Sequence, residues 1–140
     1  MSTDLPPGYR PSADEPYMNP RQLAYFREKL LAWRQELLEE AQATLDAMRE
    51  APSDVADEAD RATRESDTSL ELRTRDRYRK LQSKIDAALK RIGDGSYGYC
   101  EETGDEIGLA RLEARPIATL TVEAQERHER LSAQVADRRD

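Results

Sequence analysis

"PRQLAYFREKLLAWRQELLEEAQATLDAM", residues 20–48, decides the fold. Its apolar side chains fall at Leu23, Phe26, Leu30, Trp33, Leu37, Ala41, Leu45 and Met48, in steps of three and four. That spacing gathers them into one stripe along a helix, the seam of a coiled coil with one local phase adjustment. Asn19-Pro20 marks the start, because Asn caps a helix and Pro suits its first position. Ala51-Pro52 marks the end, because the residue before a proline avoids the helical region. A helix of about 30 residues runs about 45 Å.

A stripe this long needs a partner, and the chain supplies one. "SDVADEADRATRESD", 53–67, has almost no large apolar group and reads as a tip or loop. The periodic pattern resumes at Leu70, Leu81, Ile85, Ala88 and Ile92, with Thr74 and Tyr78 filling the interval, and Gly93 offers a C-cap. Residues 19–93 therefore predict an antiparallel coiled-coil hairpin with an acidic tip at 51–67. The fold class is mainly α.

Outward from the hairpin, the character changes. Residues 94–120 are broken up by Gly95, Gly98, Gly104 and Gly108, which predicts a small knuckle built on a short β-hairpin. "YGYCEETGDEIGLARLEARP", 97–116, opens like a zinc knuckle, but the position three after Cys100 is Thr103 and the chain has no second cysteine. Leu109, Leu112, Ile117 and Leu120 are candidates for its core. Thr121 caps a final helix over 121–140, with Glu123 in its first turn and Leu131 and Val135 on the face expected to be buried. Residues 1–18 are polar and proline-punctuated and read as a flexible tail without a signal-peptide core.

Composition narrows the class. Hydrophobic residues make up 37% of the chain and charged residues 36%, which suits solvated helices better than a sphere. A single cysteine excludes an internal disulfide and points to a reducing, cytoplasmic setting. No apolar run approaches a membrane span. The formal net charge of −7 argues against DNA as the main partner. The charge is uneven: residues 51–67 carry six acidic and two basic side chains, and 68–93 carry eight basic and three acidic. Adjacent patches of opposite sign suit a protein partner.

Individual motifs carry less. Asp57 and Asp60 lie three apart, on one helical face, and could reach a cation or a basic surface. On composition alone they are a solvated turn. "RTRDRYRK", 73–80, fits a nucleic-acid stripe, or a solvated face whose arginines partly contact a protein. His128 stands alone on a charged helix. Glu101, Glu102, Asp105 and Glu106 crowd the knuckle as solubilising groups; the first two predict a raised Cys100 pKa, and so little thiolate. No nucleophile–base pairing and no phosphate loop appears, so the chain does not read as an enzyme.

Together these stretches resemble the DksA/TraR family of bacterial RNA polymerase regulators. "YMNPRQLAYFREKLLAWRQEL", "DEADRA", "SLELRTRDRYRKL" and the knuckle segment occur in the family's order, over the chain from about Tyr17 to near its C-terminus. The resemblance implies a monomer whose coiled-coil tip enters the polymerase secondary channel, destabilises open complexes at ribosomal RNA promoters and activates some biosynthetic promoters. Asp57, Asp60 and Ala62 match the family's tip motif. Arg77, with Arg73, matches the docking surface on the stalk. Leu81, Lys84 and Arg115 match the site for the alarmone ppGpp, while a third basic position reads Gln125. The four zinc positions read Cys100, Thr103, Thr121 and Ala124. One ligand of four does not make a tetrahedral site, so the resemblance is to the zinc-independent, cysteine-poor branch. It implies no sequence-specific DNA binding and no catalysis. Two other readings remain at this point: a transcript-cleavage factor that holds Mg²⁺ with tip carboxylates, and a coiled-coil adaptor.

Overall fold

The computed structural model describes residues 5–50 and 58–138. Four helices follow in order: α1 (Pro20–Glu50), α2 (Glu58–Asp94), α3 (Leu109–Ala114) and α4 (Val122–Arg138). The chain divides into two compact units, one formed by Leu31–Ala87 and the other by the segments before and after it. No helix among the described residues is long and apolar enough to cross a membrane.

The Leu31–Ala87 unit is the helical hairpin. Side chains pair across it in antiparallel order. Arg34 lies 3.1 Å from Asp86, Thr44 and Glu40 each lie 3.3 Å from the Tyr78 hydroxyl, and Arg49 lies 3.7 Å from Glu71. Residue numbers rise in α1 as they fall in α2, so the two helices run antiparallel. Leu37, Thr74 and Ile85 are buried, and Trp33, Ala41, Leu45, Met48, Tyr78 and Leu81 are half-buried. The heptad reading of α1 thus describes its inward face. In α2 the seam starts later than the pattern predicts: Leu70 is 49% exposed. One leucine flanked by Thr68, Ser69 and Glu71 brings too little apolar area to hold that turn in a seam.

The acidic segment also differs from expectation. Residues 58–67 are helical, not loop, because α2 begins at Glu58. Ala, Arg and Glu there are good helix formers, and a solvated helix needs no apolar stripe of its own when it extends a packed one. Residues 51–57 lie outside the described residues, and Asp57 with them.

The second unit is the knuckle with its flanking segments. The α1 start is capped as expected, with the Gln22 N–H donating to Asn19 Oδ1 at 2.9 Å. At the other end, α2 runs past Gly93 to Asp94. Gly95, at φ 85°, takes the left-handed position that closes it. The expected β-hairpin is reduced to a single antiparallel bridge, Tyr99 with Glu106. The Cys100 N–H donates to Asp105 O, and the Ile107 N–H to Gly98 O. Gly98 and Gly104, both at positive φ, twist this piece too sharply for longer pairing. The six-residue α3 follows, unanticipated by the pattern.

The core of this unit gathers Phe26, Tyr97, Ile107, Leu112, Ala118, Leu120 and Ala124, with Phe26 and Tyr97 rings 5.6 Å apart. Leu112 and Leu120 are buried as expected, while Leu109 and Ile117 are half-buried. Tyr97 is fully buried. Its hydroxyl donates to Pro116 O at 2.8 Å, and burial holds its pKa well above the usual phenol value.

Two expectations fail here. Leu131 and Val135 are 59% and 50% exposed, so the α4 face expected to be buried is open. The first turn of α4 packs through Ala124, His128 still reaches Glu102, and beyond it the helix is exposed. The expected flexible tail also does not describe residues 12–18. Met18 is buried, its N–H donates to the buried Gln22 Oε1 at 2.7 Å, and Gln22 Nε2 donates to Ser12 O. Met18 adopts φ 53°, a left-handed geometry that a non-glycine residue keeps only where packing holds it.

Candidate functional site

On the hairpin, the candidate surface is one face of α2. Arg73, Arg77, Leu81 and Lys84 are four, four and three residues apart and share a side of the helix. Arg73, Arg77 and Lys84 are exposed, and Leu81 is half-buried at the border with the seam. Asp76 draws in its own neighbours, pairing at 2.9 Å with both Arg79 and Lys80. Glu71 likewise pairs with Arg75 at 2.9 Å. These pairs neutralise the flanks. Among the described residues Arg77 makes no such ion pair; its guanidinium lies 5.6 Å from the Tyr78 ring centroid. The outcome is a cationic ridge with a leucine at its edge, suited to an acidic protein surface. At the start of α2, Asp60 lies in the first helical turn and Ala62 is exposed.

The knuckle holds Cys100, Thr103, Thr121 and Ala124, the four positions that the resemblance sets against zinc ligands. Cys100 and Ala124 are buried, as is Thr121. The Thr121 hydroxyl lies 4.0 Å from Cys100 Sγ and accepts the Ala124 N–H at 3.2 Å, which caps α4. Thr103 accepts the Asp105 N–H at 3.2 Å and steadies the turn. One sulfur, two hydroxyls and a methyl do not fit a four-sulfur zinc site. No group of three or more metal-ligating side chains occurs among the described residues.

The expected pKa of Cys100 needs correction. Glu101 and Glu102 do not raise it. Burial pushes it up, but the Thr103 hydroxyl and the backbone N–H groups of Thr121, Thr103 and Glu102 outweigh that and bring it down to about 7. The turn that once reads as a ligand loop is a cradle of donors around the sulfur.

Two further features carry no sequence signal. Glu113 on α3 accepts hydrogen bonds from Tyr25 and Lys29 of α1. Burial raises the Glu113 pKa, but the Lys29 and Tyr25 bonds prevail and hold it below the ordinary range. Burial and the Glu113 bond push Tyr25 up to about 12. His128 is not solitary either: its ring nitrogen meets Glu102 in the knuckle turn. Arg115 ends α3, exposed, with its N–H donating to Arg111 O at 2.7 Å.

Comparison with known proteins connects these surfaces. The model of the DnaK suppressor protein DksA N-terminal domain matches residues 22–92, spanning nearly all of both long helices. The chain belongs to the DksA family. The prokaryotic dksA/traR C4-type zinc finger model matches residues 95–130, a stretch whose one cysteine is Cys100. The RNA polymerase-binding transcription factor DksA of Caulobacter vibrioides (strain NA1000 / CB15N) is 66% identical over 122 residues, covering 87% of this chain and 86% of its own. DksA of Escherichia coli (strain K12), of the same description, is 48% identical over 115 residues, covering 82% and 76%. The solved structure of transcription factor DksA2 from Pseudomonas aeruginosa superposes with a TM-score of 0.74 at 44% identity, covering 89% of this chain and 94% of that one.

Proposed function

We propose that this chain is a transcription regulator that binds bacterial RNA polymerase through its secondary channel. The observation that carries the reading is the cationic face of α2, Arg73, Arg77 and Lys84, on a helical hairpin matched throughout by the DksA model. That face meets an acidic surface of the polymerase, and the hairpin delivers Asp57, Asp60 and Ala62 toward the catalytic centre. The carboxylates act there by destabilising open complexes, so promoters with short-lived complexes, such as those of ribosomal RNA, are repressed. Some biosynthetic promoters are activated.

The alarmone ppGpp binds with Leu81, Lys84 and Arg115 against the polymerase. Its phosphates are polyanionic, and a guanidinium offers them paired hydrogen bonds. Gln125 carries no charge where relatives of the family place a third cation, so the two remaining cations supply most of the affinity. The chain acts as a monomer, in the cytoplasm and without zinc, the knuckle being held by hydrogen bonds and packing.

Co-purification with RNA polymerase, comparing the wild type with Arg73→Ala/Arg77→Ala, tests the docking. Retention of the wild type and loss of the variant supports it. Equal retention removes the α2 face from the interface. Stimulated cleavage of RNA in a backtracked complex would instead assign the chain to the transcript-cleavage class.

A further inference from the structure

We propose that Tyr17 is a positioning residue: its hydroxyl bridges the knuckle turn to the start of α3 and thereby sets where Arg115 meets an anionic ligand. This deepens the alarmone reading above and rests on it.

The bridge uses both halves of one hydroxyl. Tyr17 donates to Gly98 O at 2.7 Å and accepts the Gly108 N–H at 2.9 Å. Gly108 is the residue that enters α3. It stands at φ 102° and provides no side-chain cap. Six residues cannot hold a helix by themselves, so the direction of α3 comes from what grips its ends. Glu113 grips the far end through Tyr25 and Lys29. Tyr17 grips the near end. Arg115 is the C-cap residue of α3, tied by its N–H to Arg111 O, so its side chain leaves from a base fixed at both sides.

The strap that carries Tyr17 is itself held. Its neighbour Met18 packs so closely on Gly98 that a Cβ there would lie 2.8 Å from Met18 Cγ. The Tyr17 ring meets Tyr99 edge-on at 5.5 Å. Tyr17 and Arg115 line the same open groove, about 1400 Å³, together with Leu109 and Arg111. Arg111 is committed through Nε to Leu120 O at 2.9 Å, which leaves Arg115 as the exposed guanidinium of the pair.

Tyr17→Phe keeps the ring and removes the bridge. In transcription with polymerase, the half-maximal ppGpp concentration is expected to rise about fivefold, the loss that one net hydrogen bond carries. Inhibition without ppGpp is expected to stay as in the wild type, a split that simple unfolding would not produce. Hydrogen exchange of the Gly108 amide is expected to quicken by about tenfold or more as its acceptor disappears. Gly98→Ala, whose Cβ would crowd both Met18 Cγ and the Tyr17 hydroxyl, displaces the bridge without removing the hydroxyl and is expected to weaken the ppGpp response in the same way, so the test does not hang on one variant. Tyr9→Phe, in the same N-terminal segment, removes a hydroxyl that donates to Glu15 and keeps the ring against Tyr25, and is the matched control. An unchanged ppGpp response in Tyr17→Phe beside a responsive wild type overturns the proposal. A wild type that ignores ppGpp overturns the alarmone reading and the ligand half of this one. The Gly108 exchange then decides the bridge, and an unchanged rate overturns that too.

Discussion

The Thr121 hydroxyl sits 4.0 Å from Cys100 Sγ while accepting the Ala124 N–H. One side chain thus caps α4 and faces the sulfur of the chain's single cysteine. A metal would tie these same turns together with four bonds. Here the turn residues bond one another, and Leu112, Tyr97 and Phe26 fill the space beneath. Excess chelator is therefore expected to leave the thermal melt unchanged. Thr121→Val, which keeps the shape and loses the cap, is expected to cost about 1 kcal/mol. A chelator-sensitive melt would show that a metal holds this knuckle after all.

Leu112 is fully buried at the centre of that unit. Leu112→Ala is expected to cost about 2–5 kcal/mol in urea unfolding, the range for removing a buried leucine side chain. Leu131→Ser and Val135→Ser, on the open face of α4, are expected to change stability by less than about 0.5 kcal/mol. If the α4 pair proves as costly as Leu112, that helix is packed in solution in a way this structure does not have.

Glu113, with Tyr25 and Lys29, gives the knuckle unit a pH window. The carboxyl is held below its usual 4.5. Its contribution is present above that value and is lost as pH falls through the depressed one. Tyr25 is raised from 10.0 to about 12, so its contribution is present below the first value and lost as pH rises through the second. Glu113→Gln is expected to flatten both arms of the stability–pH profile and to cost about 1 kcal/mol at neutral pH, a modest figure because the pair is partly solvated. A profile unchanged by that substitution would mean the contacts contribute nothing.

Cys100, lowered to about 7, is expected to titrate near neutral pH, two units below its ordinary 9.0. The folded state then gains stability as pH rises from 7 toward 9 and loses it as pH falls back. The ultraviolet absorbance of the thiolate, followed against pH, reads the midpoint directly. Thr103→Val is expected to move it upward, because the hydroxyl that favours the thiolate is gone. A midpoint at 9 in the wild type would show that the donors do not act on the sulfur.

The long helices were legible because their burial is periodic. Leu23, Phe26, Leu30 and Leu37 repeat at intervals that only a helix can turn to one side, and capping at Asn19 is local chemistry, while α2 closes at Gly95 and not at the expected Gly93. What the sequence hides is set by contacts over long separations. Tyr17 finds its partners 81 and 91 residues away, and Tyr25 and Lys29 find Glu113 at 88 and 84. No spacing rule encodes such meetings, so the ordered strap and the clamp on α3 had no signal. Leu131 and Val135 show the opposite error: helical spacing makes an apolar face but does not say that anything covers it. The roles proposed for Asp57 and Asp60 rest on resemblance alone, since two acids in a polar stretch are ordinary.

The central claim is tested most directly by multi-round transcription from a ribosomal RNA promoter with purified polymerase, a chelator present throughout. The wild type is run beside Asp57→Asn/Asp60→Asn, each with and without ppGpp. The account predicts inhibition by the wild type, deepened by ppGpp, and little by the tip variant. Equal transcription with and without the wild-type chain would contradict it.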